Sequence, residues 1–381
     1  MRIAHISDTH LGFRQYNLDQ REEDFYRAWH KAIGKMIEER VDAVVHSGDL
    51  FDDRKPPIKA LVEARRGVRK LKEAGIPFYY VTGNHDQPTR AGALPPQALL
   101  DEALPLDAKP AVLGGLFIGG VSYHSRVSLG PLKDRMALLA GQARSARRSV
   151  MVLHQGLDRY IPEFELRLKE LNRFDYYALG HVHLRTRDWN GSTLVAYPGS
   201  IEMWRMDEFE DWRQRGKGFT IVDLDGDVPE TRFVNVEVRT FLREEAEGDR
   251  LDETLAGLKP RCRGAVVCLD VRARRSDFAR LAKRISEELG PEALRVLPRF
   301  LDAEAPESAE VLEGVDLRDS LRRALADSSE AERGLAWELY QLLARNDVEG
   351  ALQAARRWLS PPAPPPVQRP ALPIPPQEER R

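Results

Sequence analysis

Short apolar runs that each end in a polar or glycine-bearing tip recur along the first half of the chain. Arg2–Ser7 reads as a strand ending at Asp8, Val41–Ser47 as a second ending at Gly48–Asp49, and Ile76–Thr82 as a third ending at Gly83–Asn84. Between the first two, Phe25, Trp29, Ile33 and Ile37 recur at helical spacing, in a helix opened by Asp19 with Glu22 three residues on in a capping arrangement. Ile58–Ala74 reads as a second helix. Strands alternating with helices imply right-handed crossovers and a parallel sheet, an α/β class whose ligands gather at the carboxyl ends of its strands. Asp8, Asp49 and Asn84 all fall there. Leu116–Val121, Val150–Leu153, Tyr176–Leu179 and Thr193–Ala196 extend the pattern, which closes near Asp225.

The remainder divides differently. Arg232–Phe241, a helix around Leu251–Leu258, the strand Ala265–Val271, a helix carrying Phe278, Leu281 and Ile285, and Leu294–Phe300 predict a smaller α+β unit. From Asp316 onward, Leu317, Leu321 and Leu325, then Leu335, Leu339 and Leu342, then Val348, Leu352 and Leu359 keep helical spacing in three short segments. Trp337, Tyr340 and Trp358 accompany them, and the set reads either as a small bundle or as a docking module for a partner helix or coiled coil. The last 21 residues, from Pro361, contain nine prolines and read as an extended, disordered tail. The expected boundaries are 1–228, 229–305, 306–360 and 361–381.

Composition adds mostly exclusions. At 381 residues the chain has room for two or three domains of ~150 residues, and its 42% hydrophobic and 31% charged residues are ordinary for a globular protein. A formal net charge of -2 names no partner, because nucleic acid needs a local basic surface and not a basic total. Cys262 and Cys268 cannot build a disulfide framework or a four-thiolate metal site, so a reducing cytosol is expected. Charge at Asp8 interrupts any signal-peptide core, and the longest uncharged run, Pro110–Ser125, falls short of the ~20 apolar residues of a membrane span.

The chemistry lies in five short motifs that follow strand-like runs: Asp8-Thr9-His10, Gly48-Asp49, Gly83-Asn84-His85-Asp86, His154-Gln155-Gly156 and Gly180-His181-Val182-His183. Together they use five of the nine histidines, leaving His5, His30, His46 and His124 as ordinary core or surface residues. Each motif alone is weak; their joint recurrence at strand ends is not. Oxygen and imidazole donors without thiolates suit divalent manganese, iron or zinc rather than a closed structural zinc site. Asp8, His10, Asp49, Asn84, His154, His181 and His183 are too many ligands for one ion and suit two ions ~4 Å apart sharing one carboxylate, with Asp49 the expected bridge. Two divalent ions less two aspartates leave about +2, which attracts a phosphodiester and acidifies a bound water. His85, beside Asn84 but projecting differently, is free to donate a proton or hold the phosphate.

With these motifs in place, the sequence resembles the calcineurin-like metallophosphoesterases, and within them SbcD, the prokaryotic counterpart of the meiotic-recombination-eleven double-strand-break repair nucleases. The five motifs carry the broad resemblance. His5-Ile6-Ser7-Asp8-Thr9-His10-Leu11-Gly12, Gly48-Asp49-Leu50-Phe51-Asp52 and Tyr197-Pro198-Gly199-Ser200-Ile201-Glu202 carry the nuclease-like part, and the likeness runs from about Met1 to Phe300. It implies a four-layered α/β/β/α phosphoesterase sandwich, a smaller α+β capping domain that shapes DNA access, and a C-terminal helical segment binding the coiled-coil base of an SbcC-like, SMC-family ATPase. It also implies two Mn2+, the first held by Asp8, His10, Asp49 and His183 and the second by Asp49, Asn84, His154 and His181, with His85 as the catalytic histidine. Some members carry a further active-site histidine shortly after the bridging aspartate; here Asp52 stands there.

The resemblance implies 3′-to-5′ double-strand exonuclease and single-strand endonuclease activity, a homodimer, and a cytoplasmic, nucleoid-associated enzyme. Arg54, Lys55 and Arg90, in loops after the second and third motifs, are the candidate DNA contacts, to backbone and without base specificity. The alternative on the same scaffold is a phosphatase acting on phosphoprotein or cyclic nucleotide, and an inactive scaffold is disfavoured because all seven ligands are present.

Overall fold

The computed structural model describes residues 1–90, 92–303, 329–344 and 348–359. The chain begins β1 (Arg2–Ile6), α1 (Asp19–Glu38), β2 (Ala43–Ser47), α2 (Ile58–Glu73), β3 (Phe78–Val81) and β4 (Ala103–Pro105). It continues through β5 (Ala111–Leu113), β6 (Leu116–Val121), α3 (Leu129–Ala143), β7 (Arg148–His154), β8 (Tyr176–Gly180), β9 (Thr186–Asn190) and β10 (Thr193–Tyr197). After α4 (Phe209–Arg215), β11 (Lys217–Asp223) and β12 (Glu230–Val236) come β13 (Phe241–Glu247), α5 (Leu251–Leu258), β14 (Val266–Ala273), α6 (Phe278–Leu289) and β15 (Arg295–Asp302).

Two six-stranded sheets result, in the orders β12-β11-β1-β2-β3-β4 and β5-β6-β7-β8-β10-β9. The strands alternate faces, and both faces are buried. Ile3 of β1 and Val45 of β2 meet Val150 and Val152 of β7 and Ala178 of β8 between the sheets. Ala4, Ile6 and Val44 face the other way, against Trp29 and Ile33 of α1 and Ala64 and Val68 of α2. On the far side Met151, Leu153, Tyr177 and Leu179 pack on Leu132, Met136 and Leu139 of α3. The order of layers is therefore α/β/β/α, the arrangement expected from the resemblance.

Three local expectations change. The sheets are mixed and not purely parallel, because in the first β11 pairs antiparallel with both β1 and β12, and in the second β5 pairs antiparallel with β6 and β9 with β10. The first strand of the small unit, expected at Arg232–Phe241, is instead Glu230–Val236 and extends the first sheet, and the three-stranded parallel sheet β13-β14-β15 begins at Phe241. The capping arrangement at Asp19 does not form: Leu18 occupies the N-cap without a side-chain bond, and Glu22 instead accepts from the Tyr26 hydroxyl at 2.6 Å.

Around the three-stranded sheet, Val267, Leu269 and Val271 bury against Leu251 and Leu255 of α5 and Leu281 and Ile285 of α6. Residues 1–303 form one compact unit. Of the remaining chain, two helices, Glu330–Ala344 and Val348–Leu359, are described; Arg357 reaches Glu338 at 2.8 Å, and Tyr340 and Trp358 are exposed. The expected helix at Leu317–Leu325 and the proline-rich tail lie outside the described residues. No helix among the described residues is long and apolar enough to cross a membrane.

Candidate metal centre

The seven predicted ligands meet at one end of the two sheets, each at or just beyond the carboxyl end of a strand. Asp8 and His10 follow β1, Asp49 follows β2, Asn84 follows β3, His154 ends β7, and His181 and His183 follow β8. To turn these side chains inward, the backbone adopts positive φ at Asp8 (50°), His10 (43°), Asp49 (55°) and His181 (95°), a conformation that costs L-residues about 1–3 kcal/mol each. Gly48 supplies another at 96°, where any side chain would collide with the His154 ring; a side chain on Gly83 would collide with Asp49. Asp86, buried, ties the second and third loops together by accepting from the backbone amides of Leu50 (2.7 Å) and Gly83 (2.8 Å).

The donors converge closely. His10 Nε2 stands 3.1 Å from His183 Nε2, and His183 Nε2 stands 3.6 Å from Asp8 Oδ1. Asp49 Oδ2 lies 3.2 Å from His154 Nε2 and 3.9 Å from His10 Nε2, so it reaches both halves of the cluster. Asn84 Oδ1 lies 3.0 Å from both His154 Nε2 and His181 Nδ1. The opposite ring nitrogens are spoken for: His10 Nδ1 by Asp52 Oδ1 (3.1 Å), His154 Nδ1 by the Ser47 carbonyl (2.8 Å) and His183 Nδ1 by Glu208 Oε1 (3.0 Å). Those acceptors place the ring protons on Nδ1 and leave three Nε2 lone pairs aimed at carboxylate and amide oxygens, a set of donors that fits divalent cations.

Protonation follows the same geometry. Burial alone would raise Asp8, yet His183 and His154 beside it hold the carboxyl below its usual range. Asp49 is likewise held well below that range by His154 and His10, against its burial. Burial would lower His154, but the Asp49 carboxylate lifts it to about 9, so a divalent ion would have to displace a proton to take up its Nε2. Burial, reinforced by His154, pushes His181 down to about 4. Alternating acid and base of this kind is typical of sites that bind a charged species.

His85 sits at the edge of the cluster. Its backbone amide donates to Asp49 Oδ1 (2.9 Å) and its Nδ1 faces the Asp52 carbonyl (2.9 Å), so Nε2 is left for a ligand. Asn84, His85, His181, His183, Trp204, Arg205 and Asp207 line a cavity of about 360 Å³ over the centre. Arg54, Lys55 and Arg90 do not line it: the Arg54 guanidinium turns back onto the carbonyls of Gln87 (2.8 Å) and Asn84 (3.3 Å), and all three residues are exposed. His5 is a core residue bonded to Tyr176 and Ser47, as expected.

Two contributors lie beyond the motifs. Trp204 stacks on His10 with centroids 5.0 Å apart and donates from Nε1 to Asp52 Oδ1 at 3.2 Å; Glu208, buried beside Lys217 and Ser200, holds His183. Both follow the Tyr197–Glu202 segment at no periodic spacing, and proximity to that segment was their only signal.

A model of the calcineurin-like phosphoesterases matches residues 1–185. The chain is 40% identical over 250 residues to the DNA double-strand break repair protein Mre11 of Methanocaldococcus jannaschii, covering 64% of this chain and 68% of that one. It is 36% identical over 265 residues to the protein of the same name from Sulfolobus acidocaldarius, covering 67% and 69%.

Proposed function

Because this chain belongs to the Mre11 (SbcD-type) family of calcineurin-like phosphoesterases, we propose that it is a nuclease that hydrolyses phosphodiesters at DNA ends during double-strand-break repair. The observation that carries the proposal is the convergence of two aspartates, one asparagine and four histidines, with the outer ring nitrogens of His10, His154 and His183 already engaged by Asp52, Ser47 and Glu208. We assign Asp8, His10, Asp49 and His183 to one ion and Asp49, Asn84, His154 and His181 to the other. When bound, the two ions, proposed as Mn2+, supply Lewis-acid charge and an acidified water.

The chain's own groups do the rest. Asp52 fixes the His10 tautomer with its carboxylate and His85 with its carbonyl, so that both imidazoles keep one orientation. In its imidazolium form, with Nδ1–H on the Asp52 carbonyl, His85 turns an Nε2–H to the cavity, where it would donate to a non-bridging phosphate oxygen or give that proton to the departing sugar oxygen and be left neutral. Trp204 closes one wall and keeps bulk water from the His10 face.

The finer reading is 3′-to-5′ exonuclease action on duplex ends and endonuclease action on single strands, in a homodimer at the nucleoid. The small unit built on β13, β14 and β15 would shape DNA access, and the helical segment within 306–360, with Tyr340 and Trp358 exposed, would dock on the coiled coil of an SMC-like ATPase. Cleavage of linear duplex and circular single-stranded DNA with Mn2+ tests this in the wild type, His85→Ala and Asp49→Ala. Loss of cleavage in both variants, with metal retained in His85→Ala, supports it. A wild type that leaves DNA intact and hydrolyses phosphopeptides or cyclic nucleotides replaces the nuclease by a phosphatase.

A further inference from the structure

The cavity over the metal centre is lined by several acidic and imidazole groups but by a single arginine or lysine, Arg205. Its guanidinium carbon lies 4.1 Å from the centroid of the Trp204 ring, and that ring stands 4.8 Å from the His183 ring. The charge is thus one aromatic ring away from a candidate metal ligand, on the rim of the cavity and not inside it. The residue is exposed, and among the described residues its guanidinium is paired with no carboxylate. The acidic groups near it are otherwise accounted for or face elsewhere: Glu208 is neutralised by Lys217 and bonded to His183, and Asp207 shares the rim without an ion pair to Arg205.

We infer that Arg205, held over the Trp204 ring, is a specificity residue that binds the phosphate next to the scissile one, so that the site selects a polynucleotide over a single-phosphate ester. The inference rests on the nuclease reading and goes further, by naming what distinguishes a strand from a small diester at this site. A nucleic-acid strand carries one phosphate per ~3.4 Å of helix axis, and because the backbone winds around that axis neighbouring phosphates lie farther apart than this rise, so the reacting phosphate has a charged neighbour one nucleotide along the strand. A guanidinium held over an indole face has lost part of its rotamer freedom before the ligand arrives, and with no carboxylate paired to it its N–H groups can bind phosphate oxygens in pairs. The cluster itself cannot make this discrimination, since a small diester and a polynucleotide offer it the same reacting group.

The charge acts through a backbone contact, so its loss weakens all base sequences alike. The experiment is anisotropy titration of full-length protein, with and without Mn2+, against a fluorescein-labelled single-stranded oligonucleotide at a series of salt concentrations. It is paired with kcat/KM on the same oligonucleotide and on bis(p-nitrophenyl) phosphate. For Arg205→Ala we expect binding roughly three- to tenfold weaker, a log Kd against log salt slope lower by about one, and a fall in kcat/KM larger for the oligonucleotide than for the small diester. Arg205→Lys keeps the charge but not the planar, two-pronged guanidinium, and should retain the salt slope while losing part of the affinity. Arg213→Ala removes an exposed arginine of α4 already paired with Glu210 at 2.8 Å, and should leave the slope unchanged.

A wild type that binds and cleaves the oligonucleotide while Arg205→Ala keeps its slope and its substrate ratio overturns the inference and spares the nuclease reading. In that event Arg205 merely covers Trp204. A wild type that neither binds nor cleaves the oligonucleotide, yet hydrolyses the small diester, overturns both.

Discussion

Glu208 Oε1 accepts a 3.0 Å hydrogen bond from His183 Nδ1, while its other oxygen pairs with the buried Lys217 ammonium. One carboxylate thereby orients an inner ligand and neutralises a charge that would otherwise be stranded. These paired charges hold Glu208 below its usual range against the effect of burial. In Glu208→Gln, affinity for Mn2+ by calorimetry should fall roughly 10- to 100-fold, the usual penalty for losing the partner of a ligating histidine. The unpaired Lys217 should also lower the unfolding free energy by about 3 kcal/mol. Unchanged metal affinity would show that His183 needs no anchor.

Metal binding should be visible as stability. A ligand at a hundred times its dissociation constant adds about 2.7 kcal/mol to the folded state if the unfolded chain does not bind it. The thermal midpoint of the wild type should therefore rise with Mn2+ and fall back with chelator. In Asp49→Asn, which removes the one carboxylate reaching both halves of the cluster, the rise should shrink by at least half. An equal rise in both proteins would place the ions elsewhere.

His5 gives a pH dependence with a definite sign. Burial pushes its imidazole down to about 3, with both nitrogens bonded, to Tyr176 and Ser47. Between about pH 6.5 and 3 the unfolded chain takes up a proton that the folded chain refuses, so this contribution is complete above 6.5 and is lost on acidification. The loss approaches about 1.4 kcal/mol per pH unit. His5→Gln should be less stable at neutral pH but should lose roughly 1–2 kcal/mol less between pH 7 and 5 in urea titrations. Parallel curves for the two proteins would refute the assignment.

Two helical glycines should respond oppositely to alanine. A methyl on Gly67 of α2 would overlap the Trp29 indole nitrogen, which donates to the Glu63 carbonyl at 3.1 Å. Gly34 of α1 has open space around the same position. Gly34→Ala should stabilise by about 0.5–1 kcal/mol, as expected for a helix interior, and Gly67→Ala should destabilise by about 1–3 kcal/mol. Chemical denaturation decides it: a stabilised Gly67→Ala would mean that the two helices are not so closely packed.

What the sequence alone determined was local. Asp8, Asp49, Asn84, His154, His181 and His183 were legible because each ends or follows an apolar strand, and strand ends are where an α/β sheet presents its ligands. The strands and helices of the sandwich were legible for a similar reason: their periodicity is written in neighbouring positions. Tertiary structure decided which strands pair. Strands buried on both faces read as continuous apolar runs, and nothing in such a run says that β11 returns antiparallel beside β1 or that β12 joins the first sheet. It also decided the supports of the site. Trp204 and Glu208 meet His10 and His183 only because the chain after β10 folds back over the centre, and a contact between residues so far apart in sequence leaves no periodic trace. For the same reason the basic loops flanking the motifs, Arg54, Lys55 and Arg90, stood out in the sequence, whereas the arginine on the cavity rim is one that only the fold brings there.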